Sequence, residues 1–418
     1  MQVILSANVS HYYYAALALQ QAGYLQRYIC AVRVGKRQKW LYRVLPNYWE
    51  KKLRGREIPG IDSTKVRSIW LPELLQKGLP KLHITSPDRS NWVNNYLFDW
   101  RARTWVTKCD VFHFVSSVGL YSARKAKKGG AIIVCDERTE YPDFQRRIVL
   151  EEQEYLGIKA DVPGALDDRK IKAEYKIADY IIVASNYAKR TFLEAGFPEQ
   201  KLFVVPYGVD LHQFEAREKS GGIFRVVFAG QVIPRKGVHY LIQAFQELAL
   251  PNSELLLVGT VDASMRNIVG RAVKQTPGIR AVGNVPRLEL FRYYESGAVF
   301  VLPSLADTFG LVVTEAMACG LPVIITENTG SQDLVTDGRE GFVVPIRSVQ
   351  ALKEKLLLLY QDEGLRRAMG EAARVKVLEF TWERYGERLL EVYWDIGARA
   401  GKTYLPPLQS RAAKETHD

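Results

Sequence analysis

Two carboxylates, Asp307 and Glu315, stand eight residues apart in "LPSLADTFGLVVTEAMACGLPVI", residues 302–324, with Phe309-Gly310 between them. The apolar run "VFVLPS" precedes them and the small residues Ala316-Met317-Ala318-Cys319-Gly320 follow. That pattern predicts a strand, a loop carrying Asp307, and a helix from Leu311 with Glu315 one turn inside it. The positive end of such a helix offers the amides of residues 309–312 to an anion such as a phosphate. The carboxylates would not bind that phosphate. They could accept hydrogen bonds from hydroxyls on either side of it, a ribose on one side and a sugar on the other. Either acid alone is ordinary chemistry for a helix start; the two together behind a strand are far more specific.

A second stretch, "VVFAGQVIPRKGVHYLIQAF" at 226–245, predicts a buried strand ending at Gly230 and a helix starting just after Gly237. Its loop offers backbone N–H groups and two cations, Arg235 and Lys236, a combination suited to a diphosphate. The spacing is neither that of a Walker loop nor that of a dinucleotide fingerprint, so the loop alone is equally an ordinary polar turn.

The elements that must hold these loops follow from the order of apolar runs. Strand-like segments ("QVILSA", "YICAV", "VFHFV", "AIIVC", "YIIVAS", "LFVVPYG") alternate with helical ones through the first half. The rhythm pauses at "YGVDLHQFEAREKSGGIF" and restarts at "RVVFAG". An α/β chain of two Rossmann-like doubly wound parallel-sheet domains is expected, facing a central cleft, with ligands beyond the carboxyl ends of the strands. We place the boundaries at 1–210, 211–380, a C-terminal helix at 381–398 crossing back to the first domain, and a flexible tail at 399–418.

The bulk numbers fit. The chain has 418 residues, 47% apolar and 25% charged, enough for two or three domains. A net charge of +12 favours an anionic partner. No apolar run approaches the roughly 18 residues that span a bilayer, and the N-terminus reads directly as a strand, so a cytoplasmic protein is expected. The cysteines Cys30, Cys109, Cys135 and Cys319 are spaced neither for zinc nor for a disulfide framework and are expected to be buried free thiols. Residues 33–56 carry nine Arg and Lys opposed only by Glu50, interleaved with Trp40, Tyr42, Tyr48 and Trp49. That composition suits an anionic membrane surface, on which the protein would sit peripherally at the cytoplasmic face; a solvated loop and helix face is the plainer alternative.

Asp307-x7-Glu315 within "FGLVVTEAMACGLPVI" resembles the E-x7-E signature of the family 4 glycosyltransferases of the GT-B fold. "FAGQVIPRKGVHYLIQAF", "FVVPYGVDLHQF" and "TGSQDLVTDGREGFVVP" resemble further segments of that family in the same order, and the resemblance covers roughly residues 170 to 390. It implies transfer of a sugar from a UDP- or GDP-sugar, with retention of configuration, no metal and no other cofactor. The acceptor implied is a glycan or lipid-linked saccharide, as in envelope or extracellular polysaccharide synthesis. Carried over by position, Lys236 and Arg235 would bind the donor diphosphate, Glu315 the ribose and Asp307 the transferred sugar. The amides of Phe309, Gly310 and Leu311 would reach sugar or phosphate, Gly230 and Gln231 would open the diphosphate loop, and Gly283 and Asn284 would cradle the base.

The chain departs from the family in three places. The leading acid is Asp307 rather than Glu, Gln231 stands where many relatives have Arg, and the first domain has "SANVSHYYYAA" in place of a Gly-Gly loop. The His that many relatives place after the strand matching "AIIVC" is missing, and Asp136, Glu137 or Tyr141 falls there instead. His11 is then the candidate facing the cleft, unless it caps the following helix. His113 reads as a core histidine, and His212 and His239 as structural or exposed. The competing reading is a catalytically silent GT-B-like basic protein that binds an anionic membrane or nucleic acid. The intact Asp307, Glu315 and Lys236 weigh against it, and no nucleic-acid partner is expected.

Overall fold

The computed structural model describes residues 1–33, 56–70, 72–73, 87–158, 167–211 and 222–401. The basic segment between its ends at Arg33 and Arg56, His212, and the tail after Gly401 lie outside the described residues. The two described ends are tied into the fold. Arg33 is buried and donates to the Ser10 carbonyl at 2.7 Å, and Arg56 pairs with Glu73 at 2.6 Å.

Two parallel sheets organise the chain. The first contains β1 (Val3–Ala7), β2 (Leu25–Cys30), β3 (Val66–Ser68), β4 (Val111–Val115), β5 (Ile132–Glu137), β6 (Tyr180–Val183) and β7 (Leu202–Val204). Their spatial order is β3-β2-β1-β4-β5-β6-β7. The second contains β8 (Phe224–Ala229), β9 (Ser253–Val258), β10 (Ile279–Gly283), β11 (Val299–Leu302), β12 (Val323–Thr326) and β13 (Gly341–Val344). Its order, β10-β9-β8-β11-β12-β13, repeats that of the first sheet. Central strands such as Val3–Ala7 and Val111–Val115 are buried at every position, as helices on both faces of a parallel sheet require. All four cysteines are buried free thiols, as expected.

The direction of winding reverses between β1 and β4 in one sheet and between β8 and β11 in the other. Loops leaving adjacent strands diverge at such a switch point, and the crevice they leave is where doubly wound sheets hold ligands.

Among the described residues, three sets of contacts that join the halves bear on the site. After the helix Glu363–Val377 the chain returns beside Val209, whose amide donates to the Phe380 carbonyl at 2.9 Å. The helix Trp382–Arg399, capped by the Thr381 hydroxyl, then packs along Tyr12–Gln21 of the first half, with Gly386 closely against Ala18. Second, buried Glu152 on the helix Pro142–Leu156 receives Tyr240 Oη at 2.8 Å and Arg347 Nε at 2.9 Å, and lies 2.6 Å from His239 Nε2. Burial favours the neutral acid, but His239, Arg347 and Tyr240 together hold this carboxyl below its usual range. His239 is thus structural and buried. Third, Ser185, which caps the helix Asn186–Glu194 after β6, donates to the Thr308 carbonyl at 2.6 Å.

Candidate active site

The second sheet's switch point brings together the two loops singled out in the sequence. After β8 the chain makes a short 3-10 turn, Pro234–Lys236, and enters the helix Val238–Leu248 through Gly237. After β11 it runs through Asp307 into the helix Leu311–Ala318. Lys236 Nζ and Asp307 Oδ2 form an ion pair, with side chains only 15% and 14% exposed. Two more bonds lock the loops: Leu305 N–H donates to the Arg235 carbonyl at 2.8 Å, and the Arg235 guanidinium donates to the Ala306 carbonyl. Gly237 makes this closeness possible. It sits at φ 61°, and a Cβ there would lie 2.0 Å from the Pro303 carbonyl oxygen.

Burial would raise the Asp307 pKa, but the Lys236 ammonium, the Arg235 guanidinium and the Phe309 amide hold its carboxyl below the usual range. Asp307 is therefore an anion braced by two cations. Its backbone is fixed as well: its N–H donates to the Asn328 carbonyl at 2.9 Å, and Gly330 N–H donates to its carbonyl at 2.7 Å.

The helix Leu311–Ala318 begins at Gly310, which has no side chain with which to cap it. Its first amides are those an α-helix leaves without internal acceptors, and its dipole presents partial positive charge beside Lys236 and Arg235. Glu315 lies one turn in, 5% exposed, and accepts a hydrogen bond from buried Tyr294 Oη at 3.1 Å.

Two details differ from the sequence expectation. The Lys236 and Gly237 amides are not free, since they donate to the Ile233 and Pro234 carbonyls at 3.0 and 2.9 Å inside the 3-10 turn. The Phe309 amide is engaged by the Asp307 carboxylate. Anion-binding capacity in these loops therefore rests on the two cations and on the amides of the first helical turn.

At the carboxyl edge, Gly230 follows β8 and Gly283 ends β10, with Gln231 and Asn284 exposed beside them. Between them lies Gly259, which the sequence reading did not single out. It bridges the two, with Gly230 N–H bonded to the Val258 carbonyl and Gly259 N–H to the Gly283 carbonyl at 2.8 Å. A Cβ on Gly259 would fall 1.9 Å from the Gly230 oxygen, so only glycine lets these strand ends lie flat against one another. The signal was present in "ELLLVG", a strand closed by glycine exactly as "VVFAG" is. Tyr294 and Ser185 were also missed, and no local pattern marks either residue.

His11 lies in an aromatic cluster. Its ring centroid is 4.7 Å from Tyr12, 4.8 Å from Tyr207 and 6.1 Å from Trp382. Tyr207 in turn meets Phe309 edge-on at 5.6 Å, so one ring separates His11 from the Asp307 loop. His11 occupies the N-cap position of its helix but makes no side-chain capping bond. His113 is a core residue, with Nδ1 2.5 Å from Tyr393 Oη and Nε2 3.2 Å from Asp136 Oδ2. Asp136 and Glu137 both point into the interior at 2% exposure, and Glu137 accepts from Tyr175 Oη at 2.5 Å. Burial raises the Glu137 pKa against that bond. Tyr141 packs against Tyr175, Phe192 and Phe197. Among the described residues no group of three or more His, Cys, Asp or Glu could hold a metal ion, and no helix is long and apolar enough to cross a membrane.

Comparison with known proteins fits this geometry. Residues 212–376 match the family described as glycosyl transferases group 1, and residues 71–213 match Glycosyltransferase Family 4. A GDP-mannose-dependent monoacylated alpha-(1-6)-phosphatidylinositol monomannoside mannosyltransferase from Corynebacterium glutamicum is 29% identical over 256 residues, 55% of this chain and 65% of that one. The matches span about two fifths to two thirds of the length of the curated relatives. Sucrose-phosphate synthase from Thermosynechococcus elongatus superposes with a TM-score of 0.67 over 96% of this chain and 100% of its own, at 21% identity. Anabaena HepE in complex with UDP-glucose superposes with a TM-score of 0.61 over 94% and 99%, at 16% identity. With two family matches end to end over residues 71–376 and paired Rossmann-like sheets flanking a cleft, the chain belongs to the family 4 glycosyltransferases of the GT-B fold.

Proposed function

We propose that the protein is a retaining, metal-independent glycosyltransferase that moves a sugar from a UDP- or GDP-sugar to a hydroxyl of a glycan or lipid-linked saccharide. The observation that carries this reading is the Lys236–Asp307 pair at the second switch point, beside an uncapped helix N-terminus with Glu315 one turn inside. Lys236 and Arg235 hold the donor diphosphate, and the amides of Gly310 and Leu311 add partial positive charge. Glu315, oriented by Tyr294, accepts from the ribose hydroxyls. Asp307 accepts from hydroxyls of the transferred sugar, while Gly283 and Asn284 border the base. Asp307 is one methylene shorter than Glu, so the sugar it holds lies closer to the loop.

In the transfer step the bond from the anomeric carbon to the β-phosphate oxygen breaks, and a bond from the acceptor oxygen forms on the same face. The acceptor proton passes to the departing phosphate. Negative charge grows on that phosphate as the bond breaks, so cations fixed in advance stabilise the transition state more than the ground state. His11 is assigned to the acceptor side, across Tyr207 from the Asp307 loop. A lipid-linked acceptor is supported by the mannosyltransferase relative, which is named for a phosphatidylinositol monomannoside, and such an acceptor would be met at the cytoplasmic membrane face.

The test is a thermal-shift screen followed by a transfer assay. A ligand that binds only the native state raises its stability, by about 2.7 kcal/mol at a hundredfold excess over Kd. UDP or GDP is expected to raise the melting temperature, and the product is expected to keep the donor's anomeric configuration by proton NMR. A melting temperature unmoved by every nucleoside diphosphate would reject the reading.

A further inference from the structure

The helix Pro87–Ala102 packs inward through Phe98 and Ala102, yet its largest aromatic side chains face out. It buries Ser90, Asn94 and Asp99, at 1%, 7% and 0% exposure. On its outer side Trp92, Tyr96 and Trp100 follow one another at intervals of four, exposed at 41%, 39% and 48%. That spacing aligns them in one row along the helix. The rings form a continuous surface: Trp92 and Tyr96 stack at 5.9 Å, and Tyr96 meets Tyr121 of the next helix, Leu120–Lys128, at 5.4 Å.

Charge surrounds this row with one sign. Pro87–Trp105 and Leu120–Lys128 hold seven Arg and Lys against two acids, Asp88 and Asp99. Asp99 is turned inward, where it receives the Tyr121 and Ser122 amides at 2.9 and 3.0 Å. Arg101, Arg103, Arg124 and Lys125 are all exposed. Arg103 lies 5.9 Å above the Trp100 ring, and Arg124 6.0 Å above that of Tyr121. Tryptophan and tyrosine with arginine and lysine at their borders are the side chains that settle at the headgroup level of a bilayer, the cations drawn by anionic lipid and the rings by the acyl boundary.

We propose that this face, the Trp92–Tyr96–Trp100 row with Arg101, Arg103, Arg124 and Lys125, docks the protein on an anionic lipid surface. It is a different segment of the sequence from residues 33–56. The helix also reaches the first sheet's switch point: its Asn95 receives Asn8 Nδ2 at 3.2 Å and donates to Ser117 Oγ at 3.2 Å. Docking through the outer side of this helix therefore brings the carboxyl edge of the first sheet close to the lipid, where a lipid-linked acceptor would be delivered. The proposal deepens the lipid-linked acceptor reading and rests on it for its purpose, though not for the binding itself.

The test is sedimentation of the full chain with phosphatidylcholine vesicles, with and without phosphatidylglycerol. The native protein is expected to bind only the anionic vesicles, and binding should fall as salt screens the cations. The double variant Trp92→Ser/Trp100→Ser should bind about tenfold less, as should Arg101→Gln/Arg103→Gln. Both should keep the native melting temperature and its shift with nucleoside diphosphate. Native protein that stays in the supernatant, equal binding to neutral vesicles, or a double variant that sediments like the native chain would each overturn the proposal. Vesicle binding that depends on this face, in a protein no nucleotide stabilises, would instead reject the donor reading and leave the docking face standing.

Discussion

The two switch points are built on the same strand order and treat anions in opposite ways. At the first, between β1 and β4, the N-terminus of the helix Leu120–Lys128 is occupied by the chain itself. Glu174 accepts the amides of Ser117 at 2.6 Å, Gly119 at 2.9 Å and Leu120 at 3.0 Å. At the second, between β8 and β11, the corresponding helix Leu311–Ala318 starts at a glycine with no side-chain cap, and two cations stand beside it. A site whose amides already hold a side-chain carboxyl group has no room for a phosphate. One that keeps them beside Lys236 and Arg235 is prepared for a diphosphate. On the proposed reading, the difference favours the second half for the donor and leaves the first half to the acceptor hydroxyl.

Four substitutions would break or sharpen that contrast. The largest effect is expected from Lys236→Ala, which removes the cation at the leaving group. Steady-state transfer should fall by about a thousandfold, near 4 kcal/mol of transition-state stabilisation; a loss below tenfold would place the diphosphate elsewhere. Gly237→Ala comes next. Its φ of 61° costs an L-residue about 1–2 kcal/mol, and the clash with Pro303 adds to this and parts the two donor loops. Urea unfolding should show the lost stability, and nucleotide binding should weaken with it.

Glu174→Gln tests the first switch point. Burial raises the Glu174 pKa from 4.5 to about 8, against Lys170 and the amides. Between those values the folded chain holds a proton the unfolded chain has lost, so stability falls as pH rises through that window. The variant should flatten this slope in melting curves from pH 5 to 8 while leaving donor affinity unchanged. The smallest effect belongs to Ser185→Ala, which removes a helix cap and the bond to Thr308 across the halves. A stability loss of about 1 kcal/mol is expected, with nucleotide affinity kept and turnover reduced a few fold.

The second half was more legible in sequence than the first, for physical reasons. Five of its six strands are closed by a glycine or proline, and its main candidate ligand residues lie in two short stretches, so Arg235, Lys236, Asp307 and Glu315 could each be placed on a loop or helix start from local pattern alone. That Lys236 pairs with Asp307 was not legible. It depends on β8 and β11 being neighbours across a reversal of winding, which no local pattern encodes. In the first half the decisive contacts are all distant in sequence. Glu174 reaches Ser117, His113 reaches Tyr393, and Glu152 reaches Arg347. Asp136 and Glu137 looked available to a substrate because acids after a strand usually face solvent, yet both are turned inward onto His113 and Tyr175. The exposed row Trp92–Tyr96–Trp100 was hidden for a related reason. Aromatic residues at helical spacing read as a core face, and here that face is turned outward.

The central claim is that Glu315 holds the nucleotide and Asp307 the sugar, on either side of a diphosphate bound by Lys236. Calorimetric titration of UDP and GDP into the native chain, Glu315→Ala and Asp307→Ala tests it most directly. The account predicts that one nucleotide binds the native chain and that Glu315→Ala weakens it by about tenfold or more. Asp307→Ala should bind that nucleotide as well as the native chain or better, since Lys236 is released from its ion pair, while transferring no sugar. Nucleotide binding that survives Glu315→Ala unchanged, or is abolished by Asp307→Ala, would contradict it.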